Sequence, residues 1–385
     1  MNTEEFEILK RTSQIISKAK KHSMTNEDNN DLLPDIIGLK LTNRCNLRCK
    51  HCYEWNDKGY HHHMDALDKN MDLDFNLIKK VLKDLSPNVP YIYLWGGEPF
   101  VYNKIGDLLE LLSKLQPTLA ICTNGQKVLP YFDILKTFGC NLELVFALEG
   151  FKKENDTIRG VGSYDNVMKC IEYLIKAKRE GIFNGKITIH TMISNENINN
   201  IVEYVEYMQE IGIDNLILCY PWYISDETSS EMTSYFNENF NWLDNQTKEK
   251  QSWTAFKYKI SEENYDKVCE KISILKNKNY DINLKLQPQL EEDEIVPFLK
   301  GESIKKKHSG ICLSLFSRMD VLPNGKVTTC KHFPEFTVGD LNKNSVKEIW
   351  NSVTFKKARS TLCKNISPAC TKCNNFYLHS YKKEK

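Results

Sequence analysis

The stretch CNLRCKHCY, Cys45 to Tyr53, sets three thiols at intervals of four and three residues. On an α-helix such positions share one face, so a buried stripe of small apolar side chains is one reading. The filling argues against it: Asn46, Arg48, Lys50 and His51 are polar, where a helix hiding its cysteine face would carry apolar neighbours. The other reading is metal chemistry. Three thiolates do not complete a tetrahedral zinc site, no fourth cysteine lies nearby, and His51 is squeezed between ligands and poorly aimed. A cube of iron and sulfide takes three cysteines and leaves one iron open for substrate.

Other residues invite chemistry of their own. In WGGEPF, Trp95 to Phe100, two consecutive glycines let a ligand approach the backbone without meeting a Cβ, and Glu98 would then hold an ammonium group. A simple strand-end turn is the plain alternative. Near the C-terminus, Cys312 and Cys330 flank a hairpin pattern and Cys370 and Cys373 form Cys-x-x-Cys after a helix, the four-thiolate set of a closed iron–sulfur or zinc site. Cys363 is left over; it is a candidate replacement ligand or catalytic hydrogen donor, against a spare thiol. Cys122, Cys140, Cys170, Cys219 and Cys269 fall in or beside apolar patterns and read as small core residues. The triple histidine at 61–63 reads as a solvated loop, with a cap over the active site as the alternative.

The elements that must position these groups alternate. Strand patterns lie at 36–42, 91–95, 118–123, 142–148, 186–193 and 215–220, and helical patterns at about 75–86, 104–115, 127–138, 164–181 and 197–211. Six βα units of this kind demand a parallel sheet, and CNLRCKHC and WGGEPF both sit past the C-terminal ends of strands, where such folds place active sites. Residues 4–22 read as an amphipathic helix with Phe6, Leu9, Ile15 and Ile16 inward, followed by a polar linker. An aromatic stretch at 221–258, with Trp222, Tyr223, Trp242 and Trp253, interrupts the sixth unit before a helix near 261–277 and a last strand near 286. From about 289 the texture changes to two strands around Pro-Asn-Gly and a helix, SVKEIWNSVTFKKARSTL, which looks like a separate module. The expected division is therefore 1–34, an N-terminal helix and linker; 35–288, the barrel; and 289–385, the rear module.

A chain of 385 residues, 41% hydrophobic, buries a full core. Its 52 basic and 51 acidic side chains nearly cancel, so no long-range positive field draws it to nucleic acid or an anionic membrane, and the runs KKK at 305–307 and KKEK at the end read as solvated. No apolar run approaches a membrane span and the first residues are acidic and polar, which points to the cytoplasm. Thirteen cysteines in a reducing compartment suit metal or redox chemistry better than disulfides.

CNLRCKHC and GGEP together resemble the CxxxCxxC loop and GGEP element of the radical S-adenosylmethionine (SAM) superfamily, and the likeness spans about 35–385. It implies an α/β fold, a partial (β/α)6 TIM-like barrel. It further implies a [4Fe-4S] cluster on Cys45, Cys49 and Cys52 that binds SAM, a contact from His51 to the adenine, and methionine-ammonium binding by Gly96, Gly97 and Glu98. CTNG at 122–125, ALEG at 147–150 and IRG at 158–160 extend the match and make Thr123, Asn124, Glu149 and Arg159 candidates for SAM or substrate contacts. The family usually carries aspartate at the position of Glu149, and the longer arm leaves that role open. GKVTTC and ACTKC resemble the SPASM/twitch auxiliary domain, which implies one further [4Fe-4S] cluster on Cys312, Cys330, Cys370 and Cys373. Five cysteines here, against about seven in a full SPASM domain, favour the one-cluster twitch form.

The resemblance implies reductive cleavage of SAM to a 5′-deoxyadenosyl radical, hydrogen abstraction, and net oxidation or oxidative bond formation assisted by the auxiliary cluster. Peptide maturation of the RiPP type is the expected use. Dehydrogenation of a small molecule such as an aminocyclitol or sugar is the alternative, favoured by the roughly 34 residues ahead of the barrel, too few for the leader-binding domain of about 80 found in many maturases. An electron donor such as flavodoxin or ferredoxin is the expected partner. A protein of another class, non-catalytic and stapled by zinc at both cysteine sets, is the contrasting possibility.

Overall fold

The computed structural model describes residues 3–24, 32–87, 89–243, 250–302, 310–374, 376 and 380–382. The lysine run at 305–307, nearly all of KKEK and most of the linker after the first helix lie outside the described residues. Seven strands stand side by side in chain order: β1 (Ile36–Lys40), β2 (Tyr91–Trp95), β3 (Leu119–Thr123), β4 (Leu142–Ala147), β5 (Lys186–Met192), β6 (Asn215–Cys219) and β7 (Asn283–Gln287). Every pair among them is parallel. The crossovers run through helices, among them Phe75–Asp84, Ile105–Leu115, Ser163–Arg179, Ile201–Ile211 and Tyr265–Asn277. This is the parallel α/β sheet that the alternating patterns predict, and it agrees with the partial TIM-like barrel that the resemblance implies.

Period-two alternation divides each strand between two environments. Ile92, Leu94, Leu119, Ile121, Ile187, Ile189, Leu216 and Leu218 are fully buried beneath the helices. Their alternates, Tyr93, Cys122, His190 and Cys219, turn to the barrel interior, where polar contacts replace the apolar core.

Five further strands follow: β8 (Gly310–Cys312), β9 (Arg318–Val321), β10 (Lys326–Thr328), β11 (Thr337–Asp340) and β12 (Ser380–Lys382). The expected hairpin is β9 and β10, and it is not free-standing. β9 lies parallel to β1, from Ile36 opposite Arg318 to Leu39 opposite Val321, so one ten-stranded sheet runs β11-β10-β9-β1 and on to β7. Gly38 makes that junction possible. A Cβ there would lie 2.0 Å from Asp320 Oδ1, in the space taken by the Arg318–Asp320 ion pair.

Local chemistry explains where helices depart from expectation. The helix expected at 127–138 is three short pieces, because Pro130 interrupts it and Gly139 adopts φ 55°. SVKEIWNSVTFKKARSTL divides into Val346–Trp350 and Val353–Lys364, since Ser345 and Ser352 each cap a helix N-terminus. The aromatic insertion contains a helix, Asp226–Asn239, capped by Ser225. The helix Lys152–Arg159, whose one apolar side chain is Ile158, was not expected. In the first helix, Thr3–Met24, Ile16 is 41% exposed while Ala19, four residues beyond Ile15, is buried; Phe6 and Leu9 are outside the described side chains. Among the described residues no helix is long and apolar enough to cross a membrane.

Candidate active site

The loop after β1 carries the three thiols, and the chain around it is held by hydrogen bonds from several strands. Cys49 is buried and Cys45 and Cys52 are half-buried. Leu47 N–H and Trp55 N–H donate to the sulfurs of Cys45 and Cys52, each at 3.4 Å, and Arg159 Nη1 lies 3.6 Å from Cys49 Sγ. Trp55 Nε1 donates to the Asn43 carbonyl at 2.8 Å, with the Arg48 guanidinium 4.3 Å from its ring, and this fixes the outer side of the loop. Burial pushes the Cys45 and Cys52 thiols up to about 12, and it raises Cys49 as well, where it outweighs the opposing Arg159 guanidinium. Iron supplies positive charge. The donor set therefore fits a polynuclear iron group.

Gly96 and Gly97 have a structural task that the sequence does not announce. A Cβ on Gly96 would lie 2.6 Å from the Thr42 carbonyl, and one on Gly97 2.1 Å from the Arg44 carbonyl. The close approach is to the protein's own cysteine loop, which Gly97 N–H and Glu98 N–H tie down by bonds of 2.9 Å to Thr42 and Arg44. Gly96 also has φ 146°, which favours glycine. Glu98, buried, accepts from Phe100 N–H at 3.1 Å, the Thr123 hydroxyl at 2.7 Å and Asn124 N–H at 2.6 Å. Burial nevertheless raises its pKa, since no cation pairs with it among the described residues. A cation brought beside it would lower that pKa again. Asn124 Nδ2 continues to Asn46 Oδ1 at 2.8 Å, so the ends of β2 and β3 and the cysteine loop form one network.

Glu149 anchors a second network. Its Oε1 accepts from Arg159 Nη2 and lies 3.0 Å from His51 Nε2, while Oε2 accepts from Met192 N–H at 2.7 Å. Burial opposes its ionisation, but the Arg159 and His51 contacts win and hold the carboxyl well below the usual range. The expected residues His51, Glu149 and Arg159 thus meet one another and Cys49.

In the rear module, one cavity is lined by Cys312, Cys330, Cys370 and Cys373 together. Burial raises all four thiols, Cys370 to about 11. Cys363 lines a different pocket, beside Tyr235 and Asn365. Among the described residues no three His, Cys, Asp or Glu side chains are gathered tightly enough for a single metal ion, so both cysteine sets are read from placement and donor chemistry.

Residues 39–208 match the radical SAM superfamily, and residues 312–374 match SPASM, an iron–sulfur cluster-binding domain. The chain carries a radical SAM domain and, behind it, a SPASM domain. The chain is 24% identical over 356 residues to the tungsten-containing aldehyde ferredoxin oxidoreductase cofactor-modifying protein of Pyrococcus furiosus, across 87% of this chain and 86% of that one. It is 23% identical over 370 residues to the antilisterial bacteriocin subtilosin biosynthesis protein AlbA of Bacillus subtilis, across 94% and 70%. Its fold matches that of SuiB from Streptococcus suis, solved bound to S-adenosylmethionine, with TM-score 0.57 and 18% identity over 92% of this chain and 72% of that one. SuiB has also been solved bound to the precursor peptide SuiA. The superfamily and its rear domain bring a SAM-binding [4Fe-4S] cluster and auxiliary iron–sulfur binding.

Several radical SAM residues near these sets had no local signal. His61 is wholly buried, packed at 4.8 Å on Trp55 and 4.7 Å on Tyr60, and so departs from the solvated loop expected for 61–63; His62 and His63 are exposed. It sits 3.3 Å from Lys40 Nζ, which pairs with Glu54 at 2.6 Å in a buried knot at the end of β1. Cys219, read as core, lies 2.9 Å from His190 Nε2 and 3.2 Å from Gln287 Oε1. From the aromatic insertion, Phe256 stacks on Tyr53 at 4.3 Å and Trp222 meets His332 at 4.2 Å, whereas Trp253 is simply buried.

Proposed function

We propose that this enzyme oxidises a peptide, forming a new bond or a dehydrogenated product, with one auxiliary [4Fe-4S] cluster beside the SAM-binding one. Cys45, Cys49 and Cys52 would hold the first cluster, and Cys312, Cys330, Cys370 and Cys373 the second. A bound, reduced cluster there would supply the one electron for cleavage of SAM to methionine and a 5′-deoxyadenosyl radical, which would take hydrogen from substrate. The protein's own residues do the placing. His51 would meet the adenine, Glu98 the methionine ammonium, and Thr123 and Asn124 keep Glu98 oriented, while Glu149 and Arg159 brace the loop behind Cys49. Water exclusion falls to Tyr53, Trp222 and Phe256.

The observation that carries the reading is the short aromatic step between the two cysteine sets: Tyr53, next to Cys52, lies 6.1 Å from His332, two residues beyond Cys330. A substrate over that step would reach both. The peptide class is supported by the likeness to AlbA and to SuiB, described in terms of bacteriocin biosynthesis and a precursor peptide. Modification of a small molecule has in its favour the cofactor-modifying relative. The division at 34 and 288, a cytoplasmic setting and reduction by flavodoxin or ferredoxin belong to the same proposal.

Anaerobic reconstitution tests it. The protein should hold about eight irons and release 5′-deoxyadenosine from SAM under dithionite. Serine at Cys45, Cys49 and Cys52 should leave about four irons and no cleavage, and serine at Cys370 and Cys373 about four with cleavage retained. A colourless zinc protein would overturn the reading. With a peptide substrate, the product should lack two hydrogen atoms, and deuterium from labelled peptide should appear in 5′-deoxyadenosine.

A further inference from the structure

Lys331 follows Cys330, lines the same cavity as the four cysteines, and extends its ammonium to strand β2 of the barrel. Its Nζ donates to the Tyr93 hydroxyl of β2 at 3.2 Å and lies 4.6 Å from the centre of the Tyr93 ring and 5.1 Å from that of Trp95. Of the charges acting on the Cys122 thiol of β3, that of Lys331 is the largest.

No carboxylate among the described residues pairs with this ammonium. Asp320, lining the same cavity, has both oxygens engaged by Arg318, through Nε and Nη2 at 2.7 Å each. Glu54 is engaged by Lys40. An ammonium withdrawn from water without a counter-charge is costly, and its attraction for an anion is strong there. Beside it, Trp95 is 5% exposed and its indole Nε1 has no acceptor among the described residues. The Tyr93 hydroxyl that accepts from this cation also bonds the Cys122 thiol, and the Trp95 ring lies alongside, so a phenol and an indole flank a cation that one compact anion would neutralise.

We propose that Lys331, with the Tyr93 hydroxyl and Trp95 indole beside it, receives a carboxylate of the substrate, either an Asp or Glu side chain or the free C-terminus of the peptide. This rests on the peptide reading above. It makes the substrate acidic at the residue held between the two cysteine sets, and it assigns specificity to a side chain that neither set uses.

The probes are pools of short synthetic peptides with C-terminal amides, uncharged at all positions but a central one fixed as Glu, Gln or Lys; a fourth Gln pool keeps its free C-terminus. Each is passed over immobilised, anaerobically reconstituted enzyme and the retained peptide counted by mass spectrometry. Either the Glu pool or the free-acid Gln pool should be retained at least about tenfold over the amidated Gln pool, and which one identifies the source of the carboxylate. Lys331→Met should erase that ratio and Lys331→Arg restore most of it. Iron is measured on each variant; should Lys331→Met lose it, Tyr93→Phe, which keeps the ring, should still lower the ratio. Equal retention of acidic and neutral pools by the wild type, or a ratio unchanged in the variants, overturns the anchor and leaves the peptide reading. Retention of no pool removes the peptide reading, and the anchor with it.

Discussion

His61 illustrates how a residue's surroundings reverse the expectation from its neighbours in sequence. Flanked by His62, it belongs by composition to a wet loop, yet burial and the adjacent Lys40 ammonium lower its pKa from 6.5 to about 3, so it is neutral in the folded protein. The folded value lies below the unfolded one, so the unfolded chain binds the extra proton. The contribution is whole above about pH 6.5 and is lost as pH falls toward the folded value. His61→Gln, which keeps an acceptor for Lys40, should flatten stability against pH below 6.5 by up to about 1.4 kcal/mol per pH unit. Denaturant titrations at stepped pH measure it, and an unchanged slope would refute it. The cysteines were readable because their spacing is a local property of the sequence. His61, Lys331 and the His190–Cys219 contact were not, because each meaning comes from a partner brought up by another strand or loop.

At the scale of elements, the paired glycines have a packing reason that the sequence does not display. Gly97→Ala places a methyl 2.1 Å from the Arg44 carbonyl, a contact with backbone that no rotamer relieves. The cysteine loop must move, and the reconstituted variant should lose the front cluster, about four irons, with SAM cleavage. Gly106→Ala is the control: its Cβ would meet only Tyr131 at 3.6 Å, so iron content should be unchanged. Iron analysis and 5′-deoxyadenosine assays decide between them. The seven barrel strands were readable because each is a short apolar run between helical periods. The helix Lys152–Arg159 was hidden by its polarity, and the split in the rear helix was written in Ser345 and Ser352 but masked by the longer apolar period.

For the whole molecule, the decisive feature is the parallel pairing of β9 with β1, which carries no sequence signal because parallel partners have no connecting turn. β1 is an interior strand, with Ile37 and Leu39 fully buried. Expressed as 35–288 alone, the barrel would expose that apolar edge and the Arg318 side of Gly38, so it should aggregate, whereas co-expression with 289–385 should recover material that elutes as one species. Size-exclusion chromatography distinguishes these, and a stable, monodisperse 35–288 would contradict them. The same pairing acts as a ruler. The loop bearing Cys45 leaves one end of β1, while Cys330 lies two residues past β10, itself zipped to β9. On the reading proposed above, hydrogen-bond register would set the gap between the two clusters, and a slip of two residues, about 7 Å along the strand, would change that gap without touching either cysteine set.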